Sequence, residues 1–430
     1  MKVSLNRIEF INQYPPFALL NTGDTKSVFN KRKAHLYIHL PFCRHKCGYC
    51  FFKSFERHDR EFIDNYLLAL KQEIDLQSEE SLVRSRVFKS LYFGGGTPTL
   101  LDCDQLDEII RYVLDKFEFT QDFELCVEAN PDSESLTYEK LKLLKDLGTR
   151  RISFGVQSFN DEILRLNGRN NTTAVFLEKY EVARKLGFEI INIDLMSGLF
   201  GETPENWKRT IDQLLHLRPD NVAFYKLECY YNTDLFKRIR RQHESLPLIT
   251  NDQEISLIRS AYDRLQDEGN YVPVNCFIFM SSPDKVHVHR KGIWQGEEML
   301  GLGLSAHSCF NGHLYQNISA MNEYCRVLRL GRLPIQRAYH YTTEDEISMV
   351  MVYGIKNLRI NRGMFKYKFG VDILDVYGKK LEEMLRHEYV SIDDKELSVN
   401  RKYYIFADDI AHEFFLPRYQ NLMLAHHLRN

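Results

Sequence analysis

The chain has 430 residues, of which 44% are hydrophobic and 27% charged, and its formal net charge is −2. This length suits one large domain with an appendage, or two to three domains. The balanced charge creates no overall basic field of the kind that attracts nucleic acid, so no nucleic-acid partner is expected. No run of 18 apolar residues occurs, so we predict no membrane span.

Nine cysteines are distributed along the chain. The first residues, 1–7, lack the apolar segment of a secretory signal, so we expect a cytoplasmic protein whose thiols stay reduced. Three cysteines lie close together in one short stretch and are considered below. The other six are scattered and are interpreted as ordinary buried thiols: Cys103, Cys126, Cys229, Cys276, Cys309 and Cys325.

Short apolar runs alternate with helical patterns from residue 35 to about residue 230. Residues 1–34, which precede this part, lack strong periodicity and are predicted to be an extended lead-in. Alternation of strands and helices favours a parallel sheet with right-handed crossovers. Six runs are predicted as strands: 36–40, 87–93, 123–129, 151–156, 188–195 and 221–227.

Helices are predicted between these strands, and their ends carry recognisable signals. The helix over 61–80 has apolar residues on one side. Asp104 is expected to cap the next helix, which runs to residue 117. Gly148 and Gly187 follow two further helices, where a residue with left-handed backbone commonly ends a helix. Pro204 begins the helix that runs to residue 217.

The second half of the chain is less regular. One amphipathic helix is predicted over 252–268. His287 and His289 form an H-x-H pair without a third nearby ligand, so we interpret them as part of a polar strand or loop rather than a metal site. From about Thr342, the patterns predict a small appendage with helices over 345–358 and 378–387 and a hairpin over 390–399. Residues 425–430 are expected to be a frayed tail.

The three clustered cysteines directly follow the first predicted strand. Soft thiolates select iron–sulfur clusters, zinc or Cu(I). A structural zinc site usually closes with four ligands, often from two C-x2-C pairs, and no second pair occurs downstream. A cluster with three protein ligands and one open iron fits this spacing better, and a zinc-binding loop stays as the weaker alternative. The residues, at C-x3-C-x2-C spacing, are Cys43, Cys47 and Cys50.

Polar and glycine-rich signals follow the predicted strands rather than precede them. The carboxyl ends of parallel strands meet at one edge of an α/β fold, where the site lies. We therefore expect residues 94–98, Glu128, Gln157 and Asp194 to face the same mouth as the cysteine loop. Glu128 and Asp194 can bind a ribose or an ammonium group, whereas Gln157 and Arg169 can hold a carboxylate.

Five motifs in this region occur in the order found in one known family. They are YIHLPFC at 37–43, GGGTP at 94–98, EANP at 128–131, GVQSF at 155–159 and a D-L, G-L, T segment at 194–203. Over residues 35–310 the chain resembles the oxygen-independent coproporphyrinogen III oxidase family of the radical S-adenosylmethionine (SAM) superfamily. The resemblance implies a partial (β/α)6 barrel. It also implies reductive cleavage of SAM to a 5′-deoxyadenosyl radical, which abstracts hydrogen from a substrate carbon.

The resemblance also implies roles for individual residues. Cys43, Cys47 and Cys50 would hold a [4Fe–4S] cluster, and the amino and carboxylate groups of SAM would complete the open iron. The residues matched to the first SAM are Tyr37, Gly95 and Glu128. The oxidase of this family binds a second SAM, and the residues matched to that site are Tyr49, Gly96, Thr97, Gln157, Arg169 and Asp194. No catalytic residue is assigned beyond the cluster.

Several positions depart from the oxidase pattern. The oxidase has a further cysteine two residues past the third, where this chain has Phe52, which argues against coproporphyrinogen oxidation. A haem-chaperone branch also lacks that cysteine and resembles this chain at His289-x4-Trp294 and at 301–307. However, Asn170 and Asn171 follow Arg169, where that branch usually has a histidine. A third branch uses two SAM molecules for methyl transfer, cyclopropanation or opening of a haem ring.

Together, the patterns and the resemblance predict an α/β radical SAM protein in four parts. These are an N-terminal extension (1–34), a (β/α)6 core (35–240), a region that completes the barrel on the substrate side (241–340) and a helical, winged-helix-like domain (341–430). The expected activity is oxidative decarboxylation, or methyl or methylene transfer, at a carbon of a tetrapyrrole or another flat organic substrate. A flavodoxin or ferredoxin is the expected electron donor. The alternative is a haem chaperone-like protein with little turnover.

Overall fold

The computed structural model describes residues 14, 33–228, 230, 233–241 and 249–419. The first half of these residues alternates strands with helices. Its strands are β1 (Lys33–Leu40), β2 (Val87–Gly95), β3 (Phe119–Ala129), β4 (Arg151–Gln157), β5 (Ile190–Ser197) and β6 (Asn221–Lys226). Its helices are α1 (Arg60–Glu79), α2 (Ser81–Arg84), α3 (Cys103–Lys116), α4 (Tyr138–Asp146), α5 (Asp161–Leu166), α6 (Thr173–Leu186) and α7 (Pro204–Leu217).

The second half mixes short strands with helices. Its helices are α8 (Asp234–Arg241), α9 (Asn251–Asp267), α10 (Val288–Trp294), α11 (Met321–Arg329), α12 (Thr343–Lys356), α13 (Arg362–Phe369), α14 (Ile373–Arg386) and α15 (Ala407–His412). Its strands are β7 (Val272–Pro273), β8 (Ile278–Met280), β9 (Glu298–Leu302), β10 (His307–Phe310), β11 (His313–Asn317), β12 (Ile335–His340), β13 (Arg359–Asn361), β14 (Val390–Ile392) and β15 (Glu396–Val399).

The six predicted strands are confirmed, and they pair in parallel in chain order. They belong to a sheet of 12 strands with the order β12-β11-β10-β9-β1-β2-β3-β4-β5-β6-β8-β7. Strand β9 extends the parallel part because it pairs in parallel with β1. The outer strands pair antiparallel. Within the described residues the sheet is open, as a partial barrel requires.

The two faces of the parallel strands differ in polarity, because successive side chains point to opposite faces of a sheet. One face is apolar and packs in the main core, with Leu36, Ile38, Leu91, Phe93, Leu125 and Val127. The other face is largely polar, and the register of neighbouring strands places its side chains at matching heights. Its side chains, here called the polar face, include His35, Tyr37, His39, Ser90, Tyr92, Glu128, Ser153 and Asp194.

Most predicted helix ends are confirmed, and one cap is corrected. Gly187 ends α6 with a left-handed backbone (φ +76°), and Pro204 is the first residue of α7. Asp102, not Asp104, caps α3: its backbone is extended, and its N–H donates to Gln105 Oε1 at 2.9 Å. Asp104 instead lies in the first turn. The cap lies at Asp102 because a capping box needs a glutamine or glutamate three residues after the cap, and Gln105 is at that position.

The predicted C-terminal region of helices and a hairpin is also confirmed. Helices α12 to α15 accompany a separate three-stranded antiparallel sheet of order β13-β15-β14. Tyr14 packs into the core of this region. Its hydroxyl group contacts Ser348 Oγ and accepts a hydrogen bond of 3.1 Å from Leu416 N. Residues 33–34 of the predicted lead-in belong to β1. Its other residues apart from Tyr14, together with residue 229 and the predicted tail, lie outside the described residues, and the four-part division stays a prediction.

A buried ion pair lies on the polar face, toward the amino ends of the strands. Arg151 on β4 and Glu124 on β3 are each 1% exposed, and Arg151 Nε lies 3.0 Å from Glu124 Oε2. Arg151 also donates to the carbonyl oxygens of Lys285 and Val286, at 3.1 and 2.9 Å. The guanidinium group therefore ties β3 and β4 to the segment that leads into α10.

None of the described helices combines the length and apolarity needed to cross a bilayer.

Candidate functional site

The cysteine loop follows β1 and is fastened to its surroundings by backbone hydrogen bonds. Cys43 N donates to Phe55 O at 3.0 Å, which closes the loop on itself. Gly48 N donates to Asn167 O at 3.1 Å, and Gly48 O accepts from Leu235 N at 2.8 Å. The loop is thus attached to the segment after α5 and to α8. These attachments hold its three thiols on the carboxyl side of the sheet.

The three thiols influence one another electrostatically. Burial, with a further contribution from Cys47, raises the pKa of Cys43, and burial together with the neighbouring thiols raises that of Cys50 to about 12. Arg169 Nη1 lies 3.3 Å from Cys47 Sγ. Adjacent thiolates repel each other unless a positive centre lies between them. Bound iron supplies that charge and deprotonates its cysteine ligands.

The donor set fits an iron–sulfur cluster. All eight described cysteines are free thiols, so these three are available as ligands. Within the part of the chain that the structure describes, no three His, Cys, Asp or Glu side chains converge on a point suited to a single metal ion. A [4Fe–4S] cluster does not require such convergence, because each thiolate binds a different iron atom. Cys43, Cys47 and Cys50 are the residues that would hold it.

The glycine turn after β2 packs directly against the cysteine loop. Gly96 N donates to Leu40 O at 2.9 Å, and Thr97 N donates to Phe42 O at 2.7 Å. Gly95 has a φ of +108°, and a Cβ atom there would lie 2.5 Å from the ring of His39. A Cβ atom on Gly96 would lie 2.4 Å from Phe42 O. The protein's own packing therefore requires both glycines.

Glu128 lies at the end of β3, beside this turn. Its carboxylate accepts hydrogen bonds from the Tyr92 hydroxyl group at 2.6 Å and from Gly95 N at 3.1 Å. Burial outweighs these hydrogen bonds and raises the pKa of Glu128 to about 7. Tyr37 packs beside Tyr92, with ring centroids 5.9 Å apart. Tyr37, Gly95 and Glu128, predicted to contact one SAM, thus lie close together.

Asp194 on β5 is the second buried carboxyl group of the polar face. It accepts hydrogen bonds from Ser153 Oγ at 3.2 Å and Asn192 Nδ2 at 2.8 Å. Burial raises its pKa to about 6. The positive charge of Arg290 on α10 opposes this rise for both Asp194 and Glu128, although burial outweighs it. Arg290 was missed by the sequence analysis because it follows no predicted strand; its only signal is its place directly after the H-x-H pair.

Arg169 joins several of the predicted site residues. Its Nη1 donates to the Tyr49 hydroxyl group at 3.3 Å, and its Nη2 donates to Asn130 Oδ1 at 2.5 Å. Its Nε donates to Asn171 Oδ1 at 2.9 Å. Asn171, which departs from the chaperone pattern, therefore orients the guanidinium group. Thr97 Oγ1 lies on the other side of the cysteine loop, 3.8 Å from Cys43 Sγ.

Gln157 ends β4 in a backbone conformation that non-glycine residues rarely adopt, with a φ of +72°. Its Oε1 atom is buried, and no hydrogen-bond partner for it is found within the described residues. A buried acceptor without a partner is costly. A ligand that donates a hydrogen bond at this point would remove that cost. Strained, unsatisfied residues of this kind are concentrated at functional sites.

The H-x-H pair differs in part from its prediction. His287 lies in the loop before α10, as predicted, but His289 lies in the first turn of that helix rather than in a strand or loop. Both histidines are buried, because α10 packs over β1 and β2. Tyr92 stacks against His287 with ring centroids 5.6 Å apart. Phe52, which replaces the further cysteine of the oxidases, is 50% exposed and stacks on Phe51.

Comparison with known proteins places this site in a family. Residues 37–214 match the radical SAM superfamily. The chain is 30% identical over 351 residues to "Heme chaperone HemW" of Bacillus subtilis, covering 81% of this chain and 90% of the relative. It is 27% identical over 401 residues to "Oxygen-independent coproporphyrinogen III oxidase" of Helicobacter pylori J99, covering 90% of this chain and 86% of the relative.

The fold agrees with these relationships. The crystal structure of coproporphyrinogen III oxidase (HemN) from Escherichia coli superimposes with a TM-score of 0.82. The match covers 96% of this chain and 98% of that chain at 23% identity. Members of the superfamily use a [4Fe–4S] cluster and SAM. The chain therefore belongs to the radical SAM superfamily and, within it, to the family that contains the oxygen-independent coproporphyrinogen III oxidases and the haem chaperones.

Proposed function

We propose that this protein is a radical SAM enzyme that acts on a carbon of a tetrapyrrole or a similar flat organic molecule. The observation that carries the proposal is the position of the cysteine loop, which packs against the glycine turn beside Glu128. When bound, a [4Fe–4S] cluster supplies the electron that cleaves SAM to a hydrogen-abstracting 5′-deoxyadenosyl radical. The outcome is oxidative decarboxylation, or methyl or methylene transfer. The relatives named as coproporphyrinogen oxidases support a tetrapyrrole substrate.

The chain's residues divide between two proposed SAM sites. At the first, Glu128 accepts a hydrogen bond from the amino group, Tyr37 packs against the nucleoside, and the Gly95 backbone lies alongside. At the second, Asp194 binds a ribose or an ammonium group, while Arg169 and Gln157 hold the carboxylate. Tyr49, Gly96 and Thr97 complete that second site. Because Gly96 N donates within the protein, we assign the ligand contact of Gly96 to its backbone carbonyl group. Thr97 uses both its N–H and its carbonyl oxygen within the protein, so we assign its ligand contact to the side-chain hydroxyl group.

The affinity for SAM is expected to depend on pH through Glu128. Its pKa in the free protein is about 7, and a hydrogen bond from the SAM amino group stabilises the ionised form. Below this pKa, binding must release the Glu128 proton, so as pH decreases the affinity of the wild type should fall by up to about tenfold per pH unit more steeply than that of Glu128→Gln, in which only the amino group of SAM titrates. Calorimetric titration across this range should show the slope in the wild type. Glu128→Gln should bind more weakly, and equal pH profiles for this variant and the wild type would contradict the assignment.

Replacement of Asp194 by asparagine is expected to weaken the second SAM site selectively. A hydrogen bond to a charged group contributes about 1.5–3 kcal/mol, which corresponds to a loss of about tenfold or more in affinity. Equilibrium dialysis with labelled SAM should show a stoichiometry that falls from two toward one at moderate ligand concentration. Iron content should stay at the wild-type level. A parallel loss of iron would identify Asp194 as structural rather than ligand-binding.

The products derived from SAM test the proposed reaction. Anaerobic protein would be reduced with dithionite and incubated with SAM and either coproporphyrinogen III or haem, followed by mass spectrometry. Deoxyadenosine with a decarboxylated porphyrin supports oxidation. S-adenosylhomocysteine or methylthioadenosine supports methyl or methylene transfer. Cluster-loaded protein that forms none of these products with either compound would contradict the proposal.

The proposal includes a flavodoxin or ferredoxin as the physiological electron donor and a cytoplasmic location.

A haem chaperone-like protein with little turnover is the second candidate. Two observations favour it: the relatives from Bacillus subtilis and Lactococcus lactis are named heme chaperones, and Phe52 replaces the further cysteine of the oxidases. This candidate predicts haem that stays bound through desalting. It also predicts deoxyadenosine no higher than in a reaction without protein. Formation of deoxyadenosine above that background would favour the enzyme.

A further inference from the structure

A chain of hydrogen bonds leads from the protein surface to the polar face of the barrel. Glu297 Oε2 lies 2.8 Å from His35 Nε2, and His35 Nδ1 lies 2.8 Å from Ser90 Oγ. Ser90 Oγ in turn lies 2.8 Å from His289 Nδ1. His35 and Ser90 are register partners on β1 and β2, and α10 places His289 over them. None of these four residues was assigned a role by the sequence analysis.

The ionised state of Glu297 sets the direction of this chain. Burial opposes ionisation, but hydrogen bonds from His35 and Lys89 outweigh it and lower the pKa of Glu297 to about 2. Lys89 Nζ lies 2.9 Å from both carboxylate oxygens. An ionised carboxylate only accepts hydrogen bonds, and a neutral imidazole donates from one nitrogen and accepts at the other. His35 therefore donates from Nε2 and accepts from the Ser90 hydroxyl group at Nδ1.

The same logic fixes the tautomer of His289. Because the Ser90 hydroxyl proton points to His35, Ser90 Oγ must accept from His289 Nδ1–H. His289 Nε2 then carries a lone pair, and the hydrogen bond found for this ring within the described residues is the one at Nδ1. The ring lies against Tyr92 and Tyr37, with centroid distances of 5.0 and 6.4 Å. These are the aromatic side chains beside the proposed first SAM site.

We propose that His289 is a proton acceptor for the substrate and that Ser90 passes the charge to His35. A substrate X–H bond breaks and a His289 Nε2–H bond forms. The proton on His289 Nδ1 then moves to Ser90 Oγ, and the former Ser90 hydroxyl proton moves to His35 Nδ1. No electrons are exchanged. The result is a neutral His289 and a protonated His35 beside the Glu297 carboxylate.

The energetics favour this separation of roles. His289 is buried near His35 and Arg290, and burial followed by these neighbours lowers its pKa well below the ordinary value. A positive charge is therefore poorly tolerated on His289 itself. The Glu297 carboxylate, in contrast, lies 2.8 Å from His35 Nε2 and places a negative charge beside the ring that receives the proton. Glu297 is 30% exposed, so the proton can leave to solvent from that end. The inference rests on the proposed function only for the identity of the substrate.

Nitrogen-15 NMR of the histidine rings tests the series of hydrogen bonds from Glu297 to His289 without any substrate. The full-length protein with its oxidised cluster would be titrated with acid, and His35→Gln and His289→Gln would assign the signals. At neutral pH, His289 should carry its proton on Nδ1. As His35 becomes doubly protonated at lower pH, His289 should stay neutral and switch to the Nε2–H form. An Nε2–H tautomer at neutral pH, or the absence of a switch, would overturn the proposal.

Ser90→Ala removes the link while keeping both histidines. In this variant the tautomer of His289 should no longer follow the protonation of His35. Ser308→Ala is the matched control, because Ser308 is a buried strand serine that accepts a hydrogen bond from Gly301 N at 2.9 Å. It does not belong to the series of hydrogen bonds from Glu297 to His289. A switch that persists in Ser90→Ala would also overturn the proposal. These measurements contain no SAM, whereas the radical SAM assignment is tested by SAM cleavage. Failure of the proton-transfer proposal is therefore distinguishable from failure of that assignment.

Discussion

Replacing Cys47 with alanine is expected to abolish the iron–sulfur cluster. The two remaining thiolates, Cys43 and Cys50, cannot hold a cluster that requires three protein ligands. Cys47 Sγ also lies 3.3 Å from Arg169 Nη1, so its loss removes a sulfur partner of that guanidinium group. Anaerobically purified variant protein should lack the brown colour and contain iron and sulfide near background. SAM cleavage should then be undetectable.

Cys103→Ala is the matched control for this experiment. Cys103 is a free, half-buried thiol at the start of α3 and is not one of the three proposed ligands. This variant should retain wild-type iron, sulfide and absorbance. Retention of the cluster in Cys47→Ala would show that another residue supplies the third ligand. Bound zinc in place of iron in the wild type would support the zinc-loop alternative.

Replacing Arg151 with methionine is expected to lower the free energy of unfolding by about 3–5 kcal/mol. The change removes the cation from Glu124, which would stay 1% exposed without its partner. It also removes donors to the Lys285 and Val286 carbonyl groups, which connect the sheet to the segment before α10. Chemical denaturation of the cluster-loaded protein, followed by circular dichroism, measures the loss. The midpoint should shift more than the slope.

The adjacent residue provides a closely matched control. Arg150 pairs with Glu189 at 3.0 Å, but the two side chains are 37% and 49% exposed. Exposed ion pairs contribute about 0–1 kcal/mol because solvent screens them. Arg150→Met should therefore change stability by about 1 kcal/mol or less. Equal effects of the two substitutions would show that burial of the Arg151–Glu124 pair does not control stability here.

Periodicity was sufficient to predict the six consecutive parallel strands β1 to β6. The six strands are apolar on the side that packs against helices, and signals such as Gly187 and Pro204 mark the helix ends at the predicted places. Local signals of this kind depend on neighbouring residues and are visible in a sequence. The convergence of the cysteine loop, the glycine turn and Glu128 followed from a general rule, because parallel strands have their carboxyl ends at one edge.

Features that depend on tertiary packing were not predicted. Strand β9 is five residues long and contains Gly301, and its pairing with β1 and β10 makes it a strand. Arg290 and His289 lie on the short helix α10, whose approach to the sheet is not encoded by periodicity. His35 and Ser90 are separated by 55 residues and meet only because β1 and β2 are in register. Long-range contacts of this kind carry no local sequence signal.

The electron paramagnetic resonance spectrum of the reduced protein, before and after addition of SAM, tests the central claim most directly. That claim is that Cys43, Cys47 and Cys50 hold a [4Fe–4S] cluster with one iron open to SAM. Dithionite-reduced protein should show the signal of a reduced cluster, and SAM should change that signal because it becomes a ligand of the open iron. Absence of a cluster signal, or a signal that SAM leaves unchanged, would contradict the account.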